Sequence, residues 1–257
     1  MTGVLRLVTI PISHYCEKAR WALDRAGIAY REERHVQLVH RAAARRAGGG
    51  RTVPVLVTPE AVLRDSADIL RWVDERTPAE RRLYPDEPAE RTEVERICAR
   101  LDESLGPPAR RLIYVHVLRD RALTLRFNNH GVPRWEDAAL RLLWPLATRE
   151  MRRQLAVSPG IERADEATVW RELDWVAERL ADGGGFLSGR RFGAADLTFA
   201  ALSAAVVVPP VYGTPLPQPE LLRPDTAALV ERARAHPAGR YAMELFATER
   251  RAALYAS

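Results

Sequence analysis

The apolar positions of this chain change their period near residue 80. Before that point, runs with a period of two alternate with runs spaced three and four apart. Leu5, Leu7 and Thr9 alternate with Arg6 and Val8, which predicts a strand over 5–9 that Pro11 closes. Ala19, Ala22, Leu23 and Ala26 recur at i+3/i+4 spacing and Gly27 stops them, which predicts a helix over 16–26. A second strand is read at 29–36, a weak helix at 37–47 before Gly48-Gly49-Gly50, and a buried strand at 53–57. A fourth strand, 61–64, follows the short Thr58-Pro59-Glu60 turn and must run antiparallel to the third. A helix over 66–75 has Ile69, Leu70 and Val73 on one face. The order is βαβ-α-ββα, a four-stranded mixed sheet with helices on its faces.

Beyond 77–87, a linker with Pro78 and Pro85, only helical spacing remains. Val94, Ile97, Cys98, Leu101 and Leu105 form one stripe of a helix over 90–105. Pro107 opens the next at a favoured first-turn position, and it is read to about Phe127. Helices follow at 136–155 and 163–180, then an apolar one over 196–208. A proline-rich loop and closing helices at 225–235 and 239–251 complete the chain. The expected division is an α/β domain over 1–78 and an all-α helical domain over 88–257, with 136–155 as an extended helical insert.

Composition narrows the partners. Hydrophobic residues make up 47% and charged residues 28%, the balance of a packed protein, which excludes disordered and fibrous classes. The 39 basic and 34 acidic residues leave a net charge of +5. Lys18 is the only lysine, so 38 of the 39 basic residues are arginine, a bias expected of a GC-rich bacterial genome. The arginines are interleaved with acids, as in Arg31-Glu32-Glu33-Arg34, rather than gathered in a stripe, so no nucleic-acid partner is expected. Two cysteines make no disulfide framework. The longest apolar run, 197–208, is shorter than the ~20 residues of a membrane span, and the N-terminus shows no signal peptide. A cytoplasmic protein is expected. His35, His116, His130 and His236 lack metal-ligand spacing, so no metal is expected.

Candidate chemistry gathers at three junctions. Ser13 and Cys16 stand three apart at the start of the first helix, where free N–H groups and the helix dipole favour an anion. A thioredoxin-like βαβ unit carries a Cys-x-x-Cys pair there; with Ser13 in the first position, a two-cysteine redox cycle within the motif is excluded. A serine at this point is also an ordinary helix cap. Its hydroxyl is nonetheless strong enough to ionise a thiol. Lowering a thiol pKa by about two units needs ~2.7 kcal/mol. One charge-assisted hydrogen bond supplies ~1.5–3 kcal/mol and the helix N-terminus ~0.3–1. Val53-Pro54 opens the third strand; in a thioredoxin-like sheet this proline is cis, and the residue before it offers its backbone to an extended peptide. Asp65-Ser66 begins the third helix, either as a plain cap or as a site for a ligand carboxylate and ammonium group.

In this order and spacing the segments from Ile12 to Arg20, Val53-Pro54, Asp65-Ser66 and Phe192-Gly193-Ala194-Ala195-Asp196-Leu197 resemble the glutathione transferase superfamily, cytosolic and serine-type. The resemblance covers essentially the whole chain. It implies a thioredoxin-like glutathione-binding domain followed by an all-α domain, and a homodimer engaged in detoxification. Glutathione, or a related low-molecular-weight thiol, would be the co-substrate. Ser13 takes the place of the activating serine. Val53 and Pro54 would hold the cysteinyl backbone, Asp65 and Ser66 the γ-glutamyl end, and His40 or Arg51 the glycine carboxylate. An electrophilic, largely apolar second substrate would lie among Pro11, Ile12, His14 and Tyr15 on one side and Tyr114 and His116 on the other. The sequence departs from the family pattern at Gly193, where Ser or Thr is common, at Asp65, where Glu or Gln is common, across 37–50, and in the long 136–155 insert. Two alternatives stay open: a glutathione-dependent thiol-disulfide or peroxide reductase working through Cys16, and a non-catalytic binding protein. Tyr15 is the alternative hydroxyl to Ser13.

Overall fold

The computed structural model describes residues 4–157 and 160–255; the outermost ends of the two expected domains, 1–3 and 256–257, lie outside them. Four strands form one mixed sheet in the order β2-β1-β3-β4. They are β1 (Leu5–Thr9), β2 (Tyr30–Arg34), β3 (Val55–Val57) and β4 (Val62–Leu63). β1 pairs parallel to β2 and antiparallel to β3, and β3 pairs antiparallel to β4. Helices α1 (His14–Ala26), α2 (His40–Arg46) and α3 (Ser66–Glu75) complete the unit. The local causes are those the sequence carries: Ser13 caps α1, Gly27 closes it with a left-handed φ of 67°, and Asp65 caps α3.

The second half is helical: α4 (Pro88–Ser104), α5 (Gly106–Val117), α6 (Arg121–Asn128), α7 (Arg134–Leu142), α8 (Trp144–Gln154), α9 (Ile161–Ala181), α10 (Ala194–Val207), α11 (Pro224–Ala235), α12 (Pro237–Leu245) and α13 (Arg251–Tyr255). Three single helices expected from the sequence are broken. The one read from Pro107 to Phe127 is α5 and α6, because Asp120 turns extended and accepts from the Leu123 N–H at 3.0 Å, starting a new helix. The one read over 136–155 is α7 and α8, with Pro145, which lacks an N–H, in the first turn of α8. The one read over 239–251 loosens into a π-turn over 246–250.

α10 runs through the centre of the molecule, almost wholly buried, against α1, α4, α5 and α12. Asp196 fixes its start by accepting from the N–H groups of Gly193 and Leu187, both at 2.8 Å, and from the Tyr241 hydroxyl at 2.5 Å. Gly193 brings no side chain to the cap, and its place is explained by crowding: a Cβ there would lie 3.0 Å from the Leu83 carbonyl oxygen. Leu7, Trp21 and Ile69 of the sheet region share one apolar core with Leu101, Leu105 and Phe199 of the helical region. A smaller cluster joins Val36 to Leu125, Leu140, Trp144 and Met151, seating α7 and α8 on the segment after β2. Buried Glu136 of α7 latches that seat, accepting from the Val36 N–H at 2.9 Å and meeting His35 Nδ1 at 2.7 Å. No helix of the described residues is long and apolar enough to cross a membrane.

The charges of Glu17-Lys18-Ala19-Arg20 are interior. Lys18 donates to both Asp102 oxygens of α4, at 3.0 and 2.7 Å. Arg20 donates to Glu17 at 3.0 Å, to Glu32 at 2.7 Å, and to the carbonyls of Ile10 and Pro11 at 3.2 and 2.8 Å. Glu32 also accepts from Thr9 and Arg34, so one of the interleaved charges of 31–34 is the hub of an internal network rather than surface decoration. Arg250, beyond α12, donates to Glu17 at 2.6 Å and Asp24 at 2.7 Å. The Gly213 N–H donates to Glu17 at 3.1 Å, which pins the proline-rich loop to α1.

Candidate active site

The β1–α1 loop, α5, α6 and α8 enclose a cavity of about 300 Å³. Its floor is Ile10, Ile12, Ser13 and His14, held by the Arg20 guanidinium on the Ile10 and Pro11 carbonyls. The Ser13 N–H donates to the Ile10 carbonyl at 3.1 Å. Its Oγ accepts from the Cys16 N–H at a long 3.4 Å. A hydroxyl that accepts one bond still has its own proton to donate, so the capping role and a role toward a bound anion are compatible at one atom.

Val53 also lines the cavity, and the Val53-Pro54 peptide is cis. The β1–β3 ladder ends at Val8 and Val55, so the backbone groups of Val53 lie outside it at the cavity edge. Beyond Val53, His40, Arg41 and Arg51 form a basic rim. Burial, with the Arg41 charge beside it, holds His40 down to about 4, so it is neutral at physiological pH. His40 and Arg41 belong to the stretch 37–50, which matched the family pattern poorly and whose α2 is short, and Arg51 follows it.

The opposite wall is a stripe of α5: Arg110, Ile113, Tyr114 and Val117 at i, i+3, i+4 and i+7. Leu123 and Phe127 of α6, Met151 of α8, and Tyr212 and Leu216 of the proline-rich loop close the space. The Tyr114 hydroxyl accepts from Gln37 Nε2 at 2.7 Å. Asp65 and Ser66 lie outside this enclosed volume, at the N-terminus of α3. There Asp65 Oδ1 accepts from the Ala67 N–H at 2.7 Å, and its charge is felt by Tyr15 and Asp102. Asp65 and Asp102 thus form an acidic corner beside α1, with Lys18 balancing Asp102.

Residues 7–81 match the family model described as the glutathione S-transferase N-terminal domain. Among solved structures, poplar glutathione transferase F1 is similar at 13% identity over 98% of this chain and 97% of that chain, with a TM-score of 0.62. Glutathione transferase GSTFuA3 from Phanerochaete chrysosporium is similar at 20% identity, over 97% of this chain and 98% of that one, with a TM-score of 0.60. A glutathione S-transferase from Xanthobacter autotrophicus Py2 is similar at 19% identity, over 95% and 93%, with a TM-score of 0.59. No curated protein sequence matches the chain. The chain has the glutathione transferase fold.

Within that fold, the cavity gathers Ile12, Ser13, His14, His40, Arg51, Val53 and Tyr114 from the sequence-based candidates. Besides Asp65 and Ser66, five others are placed elsewhere. Tyr15 turns away: its hydroxyl donates to the Asp102 carbonyl at 2.9 Å, in space that Gly106 leaves open, since a Cβ there would collide with the Tyr15 hydroxyl. Burial raises the Tyr15 pKa above its ordinary range. Cys16 is fully buried behind the loop, and burial pushes its thiol up against smaller opposing effects of Arg20 and Ser13. Pro11 is buried, engaged through its carbonyl by Arg20. His116, two residues past Tyr114, faces α11 and α9 instead, near Thr226 at 3.2 Å and Glu162 at 3.1 Å. Pro54 begins the chain's entry into β3 and is buried without lining the cavity.

The sequence reading missed Arg110 and Arg41. Arg110 was findable, being four residues before Tyr114 and therefore on its face of the helix. The contribution of loop 209–218 had no local signal, because it depends on Glu17 capturing Gly213 across the fold.

Proposed function

We propose that this chain is a glutathione transferase-type enzyme in which Ser13 hydrogen-bonds the glutathione thiolate, and that thiolate attacks an electrophilic, largely apolar small molecule. The observation that carries the reading is Ser13 at the N-terminus of α1, on the floor of a cavity whose far wall is the apolar stripe of α5 and α6. Val53 is assigned the cysteinyl backbone and the α3 N-terminus with Asp65 and Ser66 the γ-glutamyl group. The rim of His40, Arg41 and Arg51 is assigned the glycine carboxylate. Residues 1–78 then form the thiol-binding domain, and 88–257 supply the second-substrate wall. The same reading carries a cytoplasmic homodimer with a role in detoxification. A reductase working through Cys16 has no thiol in the cavity to work with.

Ser13→Ala tests the assignment. Calorimetry should show glutathione binding to wild type, and near-wild-type affinity in the variant. The pKa of the bound thiol, read from thiolate absorbance against pH, should rise by about 1–2 units, as expected for a lost bond of ~1.5–3 kcal/mol. Conjugation of a chloronitrobenzene-type electrophile at neutral pH should fall ~10–100-fold. Loss of the cap alone would lower stability by ~0.5–2 kcal/mol and leave the thiol pKa in place. That result, or no glutathione binding to wild type, would overturn the reading.

A further inference from the structure

The buried cations among the described residues are each paired with carboxylates, whereas the half-buried cations of the cavity are not. Lys18 has Asp102, Arg20 has Glu17 and Glu32, and Arg250 has Glu17 and Asp24. Arg110 has no carboxylate among the described residues. Its guanidinium sits 5.9 Å from the Tyr15 ring centre, and its Nε is buried with no partner. His14 beside it is 4% exposed, and its Nε2 is also buried with no partner. His40 Nδ1 and Arg41 Nε, on the rim, share that condition. The cavity wall carries Arg41, Arg51, Arg110, His14 and His40, and no aspartate or glutamate. A nitrogen buried without a partner, as at His14, His40, Arg41 and Arg110, is costly unless a ligand completes it.

These groups form two sets. The first is His40, Arg41 and Arg51, which influence one another's charge and belong to the α/β unit. The second is Arg110 with His14, where burial and the Arg110 charge hold the imidazole down to about 3 and so keep it neutral. A neutral imidazole offers one N–H as a hydrogen-bond donor. Next to this second set, on the same face of α5 and across from it, are Ile113, Val117, Leu123 and Phe127. The site is thus apolar with one anion-accepting end, and the glutathione assignment above leaves that end unused.

We propose that the second substrate is an anionic electrophile whose carboxylate pairs with Arg110 and accepts from His14, while its apolar body lies against Ile113, Val117, Leu123 and Phe127. The inference rests on the glutathione reading for the nucleophile and adds the class of its partner. For a halogenated aromatic acid the step balances simply. The thiolate sulfur forms a bond to the ring carbon bearing the halogen, the carbon–halogen bond breaks, and halide leaves with the electron pair.

The test compares a chloronitrobenzoate with its neutral amide, in wild type and in Arg110→Gln and Arg110→Lys. In wild type kcat/KM should favour the acid. Arg110→Gln should lose ~10–100-fold on the acid, as expected when a charge-assisted hydrogen bond goes, and change the amide little. Arg110→Lys should restore part of the loss. Because Arg110 has no carboxylate partner to strand, Arg110→Gln should melt near wild type, which checks that the variant is folded. Equal losses on both electrophiles, or a raised KM for glutathione with either, would mean that Arg110 serves glutathione's own carboxylate and would overturn the proposal. No preference for the acid in wild type would overturn it as well. Failure of the underlying reading is distinguishable, since wild type would then neither bind glutathione in calorimetry nor turn over the amide.

Discussion

Arg20→Met removes the cation that Glu17 and Glu32 share while keeping an aliphatic stem of similar length. Four hydrogen bonds are lost, two to carboxylates and two to the carbonyls of Ile10 and Pro11. Removing one member of a buried ion pair costs ~3–5 kcal/mol. Here Glu17 keeps Arg250 at 2.6 Å, and Glu32 keeps Arg34 at 2.8 Å and Thr9 at 2.7 Å, which places the loss at the low end, about 3 kcal/mol. At ~2.1 cal/mol/K of unfolding entropy per residue, 257 residues give about 0.54 kcal/mol/K, so Tm should fall by roughly 5–6 °C. The loss should also depend on pH. Burial pushes Glu32 up, but Arg20 and the bonds from Thr9 and Arg34 outweigh it and hold its carboxyl below the ordinary range. A depressed folded pKa contributes stability above the unfolded value of ~4.3, and that stability is lost as pH falls through the folded pKa. Without Arg20 the largest effect opposing burial is gone, and that contribution shrinks. The gap between wild type and variant should therefore be widest at neutral pH and narrow toward about pH 4. Thermal unfolding followed by circular dichroism at both pH values measures it. A Tm drop below ~2 °C at neutral pH, or an equal drop at both, would refute the argument.

Two further outcomes follow from burial. A disulfide thiol reagent added to native protein should label neither Cys16 nor Cys98, both buried, and should titrate both after denaturation; rapid native labelling of Cys16 would reopen the reductase reading. Glu136→Ala should leave the Val36 N–H buried and unpaired, at a cost of ~1–3 kcal/mol, and should raise hydrogen exchange across 35–40 and 134–154 together; unchanged exchange would show that the apolar cluster alone seats α7 and α8.

The α/β half was legible because its signals are local. Gly27 ends α1, Asp65 begins α3, and the turn at 58–60 sets the direction of β4. The helical half was legible as helices but not as their breaks. The apolar stripe continues in register across 118–120 and 143–145, so periodicity sees one helix where a cap or a proline starts another. Asp120 and Pro145 were the available signs. Within the site, Ser13 and Val53 were readable because they sit at element junctions. Tyr15, Cys16 and His116 were not, since only packing decides which face of a helix turns to the cavity. A lone lysine in an arginine-rich chain looks like surface by composition; Lys18 is buried because Asp102, 84 residues away, waits for it.

The Arg250 clamp has a consequence for synthesis. Glu17 and Asp24 are made early, yet the guanidinium that serves them is 233 and 226 residues further along. At ~5–20 residues per second on the ribosome, they wait roughly 10–50 s for it. During that interval Glu17 has only Arg20, and Asp24 only the Tyr30 hydroxyl, so α1 lacks one of its two internal guanidinium partners. A chain stopped before Arg250 would leave Glu17 with Arg20 alone and Asp24 without a cation. Arg250 in this way ties the packing of α1 to a residue made more than 200 positions later.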